Sequence, residues 1–372
     1  MGKWEMVRLG DVCEGKSSNI AQKDLEQNEG DYPIFGASGL IKHVDFYRHD
    51  FEYIAVVKDG AGVGRTTLCP PKSSVIGTMQ AILPKPSINS RYLYYAISGM
   101  NLASYYTGAT IPHIYFKDYS KEMLALPPLP VQQQIAEVLD RASALIEKRK
   151  AQIEKLDLLV KSQFTQMFGD PVTNPKGWEY TTLGSIVEIS SSKRIFESEY
   201  VSSGIPFYRT KEIVELSKGR TISTELYISQ ERYEEIRRKH NVPAVGDMLV
   251  SAVGTIGVIW VVNTKEPFYF KDGNLLWLRC GKECSSVFMK YLLSALIDYY
   301  KKDLTAGSAY NALTIVKLKQ MKTHNPPLSL QREFASFVGQ VETQKTLLQQ
   351  SLAKLEQNYK SLLQKCFRGE IF

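Results

Sequence analysis

The chain has 372 residues, 44% of them hydrophobic and 23% charged, as expected for two or three globular domains with buried cores. Lysine and arginine outnumber aspartate and glutamate by 46 to 39, an excess that is compatible with a polyanionic partner but does not require one. No apolar run approaches the roughly 20 residues that span a bilayer. The N-terminus carries no signal peptide, so we expect a cytoplasmic protein without membrane contact.

The first globular segment, residues 1–129, mixes short strand patterns with turns. The apolar run 53–57 predicts a buried strand, and the glycine-rich segment 58–65 after it predicts a tight hairpin turn. Residues 91–98 predict a short helix. We therefore interpret this segment as an α+β domain with a curved, largely antiparallel sheet.

A long helix is predicted next, over residues 130–169. No proline or glycine interrupts the chain between Pro130 and Gly169, and the composition favours helix throughout. Apolar residues recur at alternating steps of four and three, which is a heptad pattern with a few polar members. The positions of this seam are Ile135, Leu139, Ala142, Ile146, Arg149, Ile153, Leu156, Val160, Gln163 and Met167.

The rest of the chain repeats this organisation. The segment Leu-Pro-Pro-Leu-Pro-Val-Gln at 126–132 returns 199 residues later as Asn-Pro-Pro-Leu-Ser-Leu-Gln, whereas Trp4-Glu5 returns after 174 residues as Trp178-Glu179. The second copy is therefore longer by 25 residues, and we expect the charged stretch 231–239 to belong to that surplus. The heptad seam also returns at the 199-residue offset, as Phe334, Val338, Val341, Lys345, Leu348, Leu352, Leu355, Tyr359, Leu362 and Cys366.

The repeat predicts four segments. These are a first domain at 1–129, a central helix at 130–169, a second domain at 170–328 and a C-terminal helix at 329–372. Each helix can pack on its own domain, or the two can pack on each other as a coiled coil. We favour the coiled coil because helices of a single domain seldom maintain a heptad pattern over more than four repeats. At about 1.5 Å per residue, such a helix spans on the order of 50 Å.

Two segments resemble enzyme motifs. The glycines of 58–65 suggest a nucleotide or S-adenosylmethionine loop, but the repeated segment 252–257 has a different glycine spacing, and neither matches a dinucleotide fingerprint or P-loop. The segment 325–328 resembles the Asn-Pro-Pro-aromatic motif of amino-group DNA methyltransferases, in which the aromatic ring stacks on a flipped base. Leu328 cannot stack, and the sister segment 126–129 lacks the asparagine. We therefore interpret the Pro-Pro-Leu element as a helix start and expect no catalytic site.

Metal binding is also not expected. Cys280 and Cys284 are the only close pair among five cysteines, and they lack the second pair or nearby histidines that a structural zinc site needs. The five histidines have no recognisable ligand or nucleophile–base spacing. The odd, sparse cysteine set is typical of free thiols in a reducing compartment.

Two domains, each followed by a Pro-Pro-Leu segment, a nearby glutamine and a long helix, resemble the specificity subunits of type I restriction–modification systems. Three further features add to the resemblance. They are the Trp-Glu and Leu-Gly pairs that open each copy, the segment Thr-Gly-Ala-Thr-x-Pro-His at 107–113, and the segment Phe-Gly-Asp-Pro at 168–171. It covers nearly the whole chain. Val131 departs from the acidic residue that often occupies this position in the family.

The resemblance implies two target-recognition domains separated by two long helices in an antiparallel coiled coil. Each domain would read half of a split target in double-stranded DNA, and the helices would set the distance between the halves. Two modification subunits would bring S-adenosylmethionine and the adenine-methylating sites. Restriction subunits, two per complex where present, would bring ATP and Mg. This chain itself would hold no cofactor and no metal, and its role would lie in phage defence through DNA methylation and cleavage.

Candidate DNA-binding residues are polar side chains on turns, because lysine and arginine contact phosphate or guanine and asparagine pairs with adenine. Among them, His113 fits a local hydrogen-bonding role better than base reading. In the first domain the candidates are Lys16, Ser17, Ser18, Lys58, Arg65, Thr110, His113 and Lys117. In the second they are Ser192, Lys193, Arg194, Arg209, Lys211, Ser308, Tyr310 and Asn311.

Two other functions stay open from the sequence. One is a fused adenine DNA methyltransferase, which S-adenosylmethionine binding by the isolated chain would support. The other is a coiled-coil interaction scaffold without a DNA function, which failure to bind DNA even with modification partners would support.

Overall fold

The computed structural model describes residues 4–107, 112–305 and 312–372, and the chain divides into two compact units. The first unit comprises residues 1–152 and 348–372, and the second comprises residues 153–347. Each unit therefore contains one globular domain and part of each long helix. The N-terminal domain shares its unit with residues that lie at the far end of the sequence.

The first domain consists of short strands and helices, and the predicted strand at 53–57 and helix at 91–98 are both present. In chain order the elements are β1 (Glu5–Arg8), α1 (Leu9–Val12), β2 (Cys13–Ser17), β3 (Tyr32–Gly36), β4 (Gly39–Val44), β5 (Tyr53–Val57), β6 (Thr66–Cys69), β7 (Ser74–Val75), β8 (Met79–Pro84), α2 (Ser90–Ser98), α3 (Phe116–Tyr119) and β9 (Met123–Leu126), followed by the long helix α4 (Leu129–Phe168). Single 3-10 turns occur at Gln22–Leu25 and Leu102–Tyr105.

The strands of this domain form separate sheets rather than one curved sheet. An antiparallel sheet has the order β2-β8-β5-β6, a second sheet has the order β4-β3-β7 with β3 parallel to β7, and β1 pairs with β9. The separation follows from β5, which is buried on both faces. Ile54 and Val56 pack in the core that contains α2 and α4, whereas Tyr53, Ala55 and Val57 pack in the core that contains β3 and β7. Burial of alternate residues against two layers explains the continuous apolar run.

The second domain repeats this plan with additional elements. In chain order the elements are β10 (Tyr180–Thr182), α5 (Leu183–Ile186), β11 (Val187–Ser190), β12 (Tyr200–Val201), β13 (Ile205–Tyr208), α6 (Thr210–Ser217), β14 (Tyr227–Ile228), α7 (Gln230–His240), β15 (Met248–Ser251), β16 (Ile259–Val261), β17 (Tyr269–Phe270), β18 (Leu275–Cys280), α8 (Ser286–Thr305), α9 (Ile315–Gln320) and β19 (Lys322–His324), followed by α10 (Leu328–Phe367). A 3-10 turn occurs at Glu197–Glu199.

The sheet orders confirm the internal repeat. The sheet β11-β18-β15-β16 corresponds to β2-β8-β5-β6, the parallel pair β13–β17 corresponds to β3–β7, and β10–β19 corresponds to β1–β9. The charged stretch at 231–239 forms most of α7, whereas residues 45–52 of the first domain, at the corresponding place, contain no helix. The charged stretch thus belongs to the extra length of the second copy, as predicted, and the structure shows that it forms an added helix.

The two long helices run antiparallel and pack on each other within each unit. In the first unit, Ile135 and Leu139 of α4 share a core with Leu362 and Cys366 of α10. Every predicted seam position in both helices is buried or half-buried, which confirms the heptad register. The same helices also pack on the domains, since Asp140 of α4 accepts hydrogen bonds from α2, so both packing modes that the sequence allowed are present.

In the second unit, aromatic rings dominate the contact between the helices. Phe164 and Phe168 of α4 lie 5.5 and 5.6 Å from Phe334 of α10, between ring centroids, and Phe288 of α8 contacts both α4 rings. Phe168, Phe288 and Phe334 are fully buried. Truncation of a buried phenylalanine of this kind costs about 3–5 kcal/mol, so the cluster is a major source of stability for this unit.

A buried glutamine ties each long helix to its domain. The side-chain amide of Gln132 donates to the carbonyl oxygens of Pro127 (2.8 Å) and Ser87 (3.2 Å), and its carbonyl oxygen accepts from the backbone N–H of Asn89 (2.8 Å). Gln132 is 1% exposed. It satisfies backbone groups at the start of α4 and just before α2 that would otherwise be buried without partners.

Gln331 plays the same role in the second unit, at the 199-residue offset. Its amide donates to the carbonyl of Pro326 (2.7 Å) and to the side-chain oxygen of Asn325 (2.8 Å), and its oxygen accepts from the backbone N–H of Ser285 (2.8 Å). Leu328 is the first residue of α10. The Pro-Pro-Leu element is therefore a helix start, as the sequence indicated, and the structure adds that a buried glutamine fixes it.

We predict that Gln132→Ala lowers the free energy of unfolding of the first unit by about 2–4 kcal/mol, because it leaves a buried carbonyl and a buried N–H unpaired. Urea denaturation of the full chain measures the change. The neighbouring Gln133→Ala is a matched control, since Gln133 is exposed and its side-chain amide donates to the exposed Glu137 one turn away. Equal effects of the two substitutions would contradict the assigned role.

Candidate nucleic-acid interface

A pocket of about 400 Å³, with polar residues of the β2 end in its lining, opens in the first domain. Lys16 and Ser17, the last residues of β2, are exposed at its edge, and Ser18 follows them half-buried. Arg48, which is exposed, and His49, which is half-buried, also line this pocket. Three of the predicted residues therefore lie together, next to two basic residues that the sequence reasoning missed.

His49 is fixed in this pocket by backbone and ring contacts. Its backbone exchanges hydrogen bonds with Ser73 (3.2 and 3.1 Å), and its ring lies 4.4 Å from that of Tyr53 between centroids. Burial, with the positive charges of Lys16 and Arg48, holds the pKa of His49 below its ordinary value. The imidazole is therefore neutral at pH 7 and retains one donor and one acceptor nitrogen.

The hairpin turn after β5 brings Lys58 and His113 together through Asp59. The Lys58 ammonium lies 3.1 Å from the Asp59 carboxylate, and Nδ1 of His113 lies 2.6 Å from it. Gly60 and Gly64 adopt φ of +93° and +87°, as the tight turn requires. The backbone N–H of Ile114 donates to the Lys58 carbonyl at 2.9 Å, which fixes this turn against the following segment.

Arg65 and Lys117 remain accessible in the first domain. Arg65 is exposed, and its guanidinium folds back so that a Cβ atom on Gly62 would collide with it. Lys117 is exposed on α3, with its ammonium 5.4 Å from the ring centroid of Tyr115. Thr110 lies outside the described residues.

In the second domain, the residues after β11 take the equivalent place. The backbone N–H of Lys193 donates to the Tyr269 hydroxyl at 2.7 Å, and Nε of Arg194 lies 2.9 Å from the Asp272 carboxylate. The Arg194 side chain is nevertheless 69% exposed. The Ser192 hydroxyl is buried and has no hydrogen-bond partner among the described residues. The backbone of this turn is thus held in place, while the side chains of Lys193 and Arg194 are exposed.

Two pockets flank this turn. One, of about 530 Å³, is lined by Arg194, Phe196, Tyr200, Lys271 and Asn274 among others. The other, of about 210 Å³, is lined by Lys193 with Arg232, Lys239 and His240 of α7 among others. The basic C-terminal end of the added helix therefore lies beside the turn that corresponds to the first domain's pocket.

A carboxylate engages Arg209, whereas the side chain of Lys211 is exposed. The Arg209 guanidinium lies 3.1 Å from the carboxylate of Glu212, which also accepts from the Arg209 backbone at 2.8 Å and is almost fully buried. Lys211 is exposed in the first turn of α6. Ser308, Tyr310 and Asn311 lie outside the described residues.

The two interfaces share a backbone framework but not their side chains. The Leu313 N–H donates to the Ala252 carbonyl at 2.9 Å, as the Ile114 N–H does to Lys58 in the first domain. Gly254 and Gly257 adopt positive φ in the turn that follows. Lys58 and Ala252 thus occupy equivalent backbone positions, and their different side chains give the two domains different surfaces.

The described residues contain no cluster suited to metal binding. Over 4–107, 112–305 and 312–372, no three histidine, cysteine or acidic side chains converge as metal ligands would. The Cys280 and Cys284 thiols lie 3.3 Å apart, with no third ligand beside them in this part of the chain. Among the described helices, none combines the length and apolar character needed to cross a bilayer.

Comparison with known proteins gives consistent results over both domains. The family described as "Type I restriction modification DNA specificity domain" matches residues 1–155 and 175–357. The chain is 24% identical over 402 residues to the type I restriction enzyme MjaVIII specificity subunit of Methanocaldococcus jannaschii, covering 99% of this chain and 93% of that one. It is 26% identical over 336 residues to S.HindORF215P, a candidate specificity subunit of Haemophilus influenzae, covering 87% of this chain and 84% of that one.

Solved structures share the fold. The type I restriction–modification S subunit from M. genitalium superimposes with a TM-score of 0.62 at 18% identity, covering 98% of this chain and 96% of that one. A chain from a structural study of type I restriction–modification complex assembly gives a TM-score of 0.57 at 18% identity. Since the family match includes most of both domains and the duplicated architecture agrees, the chain belongs to the family of type I restriction–modification DNA specificity subunits.

Proposed function

We propose that this chain reads a split, asymmetric target in double-stranded DNA and positions methyltransferase subunits on it, without a catalytic site of its own. The observation that supports this most directly is the duplicated turn after β2 and β11, which presents exposed cations beside a pocket in each domain. Lysine and arginine supply affinity through phosphates, while base edges in the grooves carry the sequence information. Because the two turns differ in their side chains, the two half-sites would differ in sequence.

The candidate residues divide into two roles under this proposal. Six cationic side chains are exposed and would contact DNA directly, namely Lys16, Arg65, Lys117, Lys193, Arg194 and Lys211. Ser17 and Ser18, which lie beside Lys16, would join them. Arg209 and His113 are held by carboxylates and are only 37% and 39% exposed, whereas Arg194 stays 69% exposed beside Asp272. The Ser192 hydroxyl is buried. Arg209, His113 and Ser192 would therefore position their turns. Lys58 shares the Asp59 carboxylate with His113. Thr110, Ser308, Tyr310 and Asn311 remain candidates on sequence grounds alone.

The long helices would set the distance between the half-sites, with segments 1–129 and 170–328 as the readers and 130–169 and 329–372 as the spacers. A rigid spacer enforces a fixed half-site separation, as in dimeric DNA-binding proteins. The outer faces of the helices suit partner docking, because Leu145, Leu158 and Leu347 are 54–63% exposed. Two modification subunits carrying S-adenosylmethionine would bind there in the cytoplasm, and restriction subunits with ATP and Mg would join where the system cleaves DNA.

The two alternatives have less support. Leu328, at the position of the methyltransferase aromatic, begins a helix and cannot form a base-stacking site. A scaffold without a DNA function would not need the cations that line the pockets of both domains.

Genome-wide mapping of N6-methyladenine in strains with and without this gene, in the presence of the partner subunits, tests the proposal. We expect the loss of one split, asymmetric motif with a fixed unread spacer, because the two readers differ. An unchanged methylome would contradict it.

We predict that Arg65→Ala and Arg194→Ala each weaken DNA binding by the assembled complex without unfolding the chain. Each lost phosphate contact should lower the slope of log K against log salt by about one. Titration at several salt concentrations measures both effects. Lys282→Ala is the control, since Lys282 follows the far end of β18 from the Arg194 turn. Affinity unchanged at every salt concentration would remove these residues from the interface.

We predict that the double substitution Leu158→Ser and Leu347→Ser prevents assembly with the modification subunit, because it removes exposed apolar surface while leaving the seam intact. Size-exclusion chromatography of the mixed subunits measures assembly, and the melting temperature of the chain alone should hardly change. Gln344→Ser, at an exposed position of α10, is the control. Normal assembly of the double variant would place the docking surface elsewhere.

A further inference from the structure

A large apolar side chain is exposed beside the cationic turn of the second domain. Phe196 is 61% exposed, and it makes no ring–ring contact with any residue in the described part of the chain. Its backbone is fixed, because its N–H donates to the Glu199 carboxylate at 2.7 Å. Ile195, the residue before it, is 5% exposed and packs in the core beneath. The ring is therefore held outward by a rigid turn.

The internal repeat provides a comparison for this position. In the first domain, Ala21 directly precedes the 3-10 turn Gln22–Leu25, as Phe196 precedes Glu197–Glu199. The backbone angles agree, with φ −87° and ψ 143° at Ala21 and φ −83° and ψ 155° at Phe196. Ile20 is 8% exposed, like its counterpart Ile195. The framework thus does not require a large ring here, and only the second domain carries one.

The surroundings of Phe196 favour a polyanionic partner over an apolar protein surface. It lines the pocket of about 530 Å³ together with the cations Arg194 and Lys271 and the carboxylates of Glu197 and Asp272, of which Asp272 pairs with Arg194. The excess of positive charge comes from the neighbouring pocket, which Arg194 also lines, together with Lys193 and Lys239. Lys271 is half-buried and makes no ion pair with any residue that the structure describes. An apolar ring beside this basic turn matches a duplex, in which phosphates flank the base edges.

We propose that Phe196 is a specificity-determining residue that contacts a thymine methyl group in the second half-site. The inference rests on the proposed function and refines it. In the major groove, the apolar group that a base pair presents is the 5-methyl group of thymine, and phenylalanine is among the side chains that contact it. The second half-site therefore contains a thymine under Phe196, whereas Ala21 leaves the corresponding place in the first half-site without this contact.

The test uses the chain assembled with its modification subunits and duplexes that carry the target found by methylome mapping. Each thymine of the second half-site is replaced singly by deoxyuridine, which removes only the methyl group. We expect one replacement to weaken binding by the wild-type complex several-fold. The same replacement should have no effect on the Phe196→Ala complex, whose affinity for the unmodified target is lower by about tenfold.

The controls separate this inference from the proposed function. Val245→Ala removes a similarly exposed apolar side chain that precedes the N-terminal end of β15, whereas the Phe196 pocket lies beyond its C-terminal end. This variant should bind the thymine and deoxyuridine duplexes with the same affinities as the wild-type complex. If the wild-type complex binds no duplex, the proposed function itself fails. If it binds, but Phe196→Ala binds equally well or no deoxyuridine duplex differs from the thymine duplex, the inference alone is overturned. Loss of subunit assembly in Phe196→Ala would also overturn it, since the ring would then contact a protein partner.

Discussion

The apolar seam between the two long helices is the contact on which both units depend. In the first unit it joins Ile135 and Leu139 to Leu362 and Cys366, and in the second it joins Phe164 and Phe168 to Phe334. In each unit the seam continues into the core of the domain, so the helices are part of the hydrophobic interior and not an appended linker. The buried glutamines then fix where each helix begins. The turns after β2 and β11 keep their positions because the sheets beneath them pack on the same cores.

Regular, local features of this architecture were predictable from the sequence. The heptad seams, the fully buried β5, the glycine turn after it and the duplicated helix start all depend on spacing within a short stretch. The separate sheets were not predictable, because a continuous apolar run does not reveal which layer covers each face. Arg48 and His49 were missed because a backbone bridge to Ser73 brings them beside Lys16, and no local motif marks such a contact. Arg209 was assigned to the interface, but the nearly buried Glu212 engages it.

The duplication separates what the fold needs from what the surface varies. Backbone hydrogen bonds, positive-φ glycines and the buried glutamines recur in both copies. In contrast, Lys58 of the first copy corresponds to Ala252 of the second, and Ala21 corresponds to Phe196. The added helix α7 increases the contrast, since its last turn carries Arg237, Arg238 and Lys239. The residues that stabilise the fold are thus different from those that distinguish the two surfaces, and surface residues can change without disturbing the packing below them.

The first unit is built from both ends of the sequence, and this affects how it folds while the ribosome makes the chain. Tyr92 lies 5.1 Å from Phe367 between ring centroids, and both belong to the core that Cys366 helps to close. A ribosome adds about 5–20 residues per second, so the N-terminal domain waits tens of seconds for its partner segment at the slower rates. Contacts of such long sequence separation form late. The domain that is made first is therefore completed last, and until then the part of its core that α10 covers is exposed.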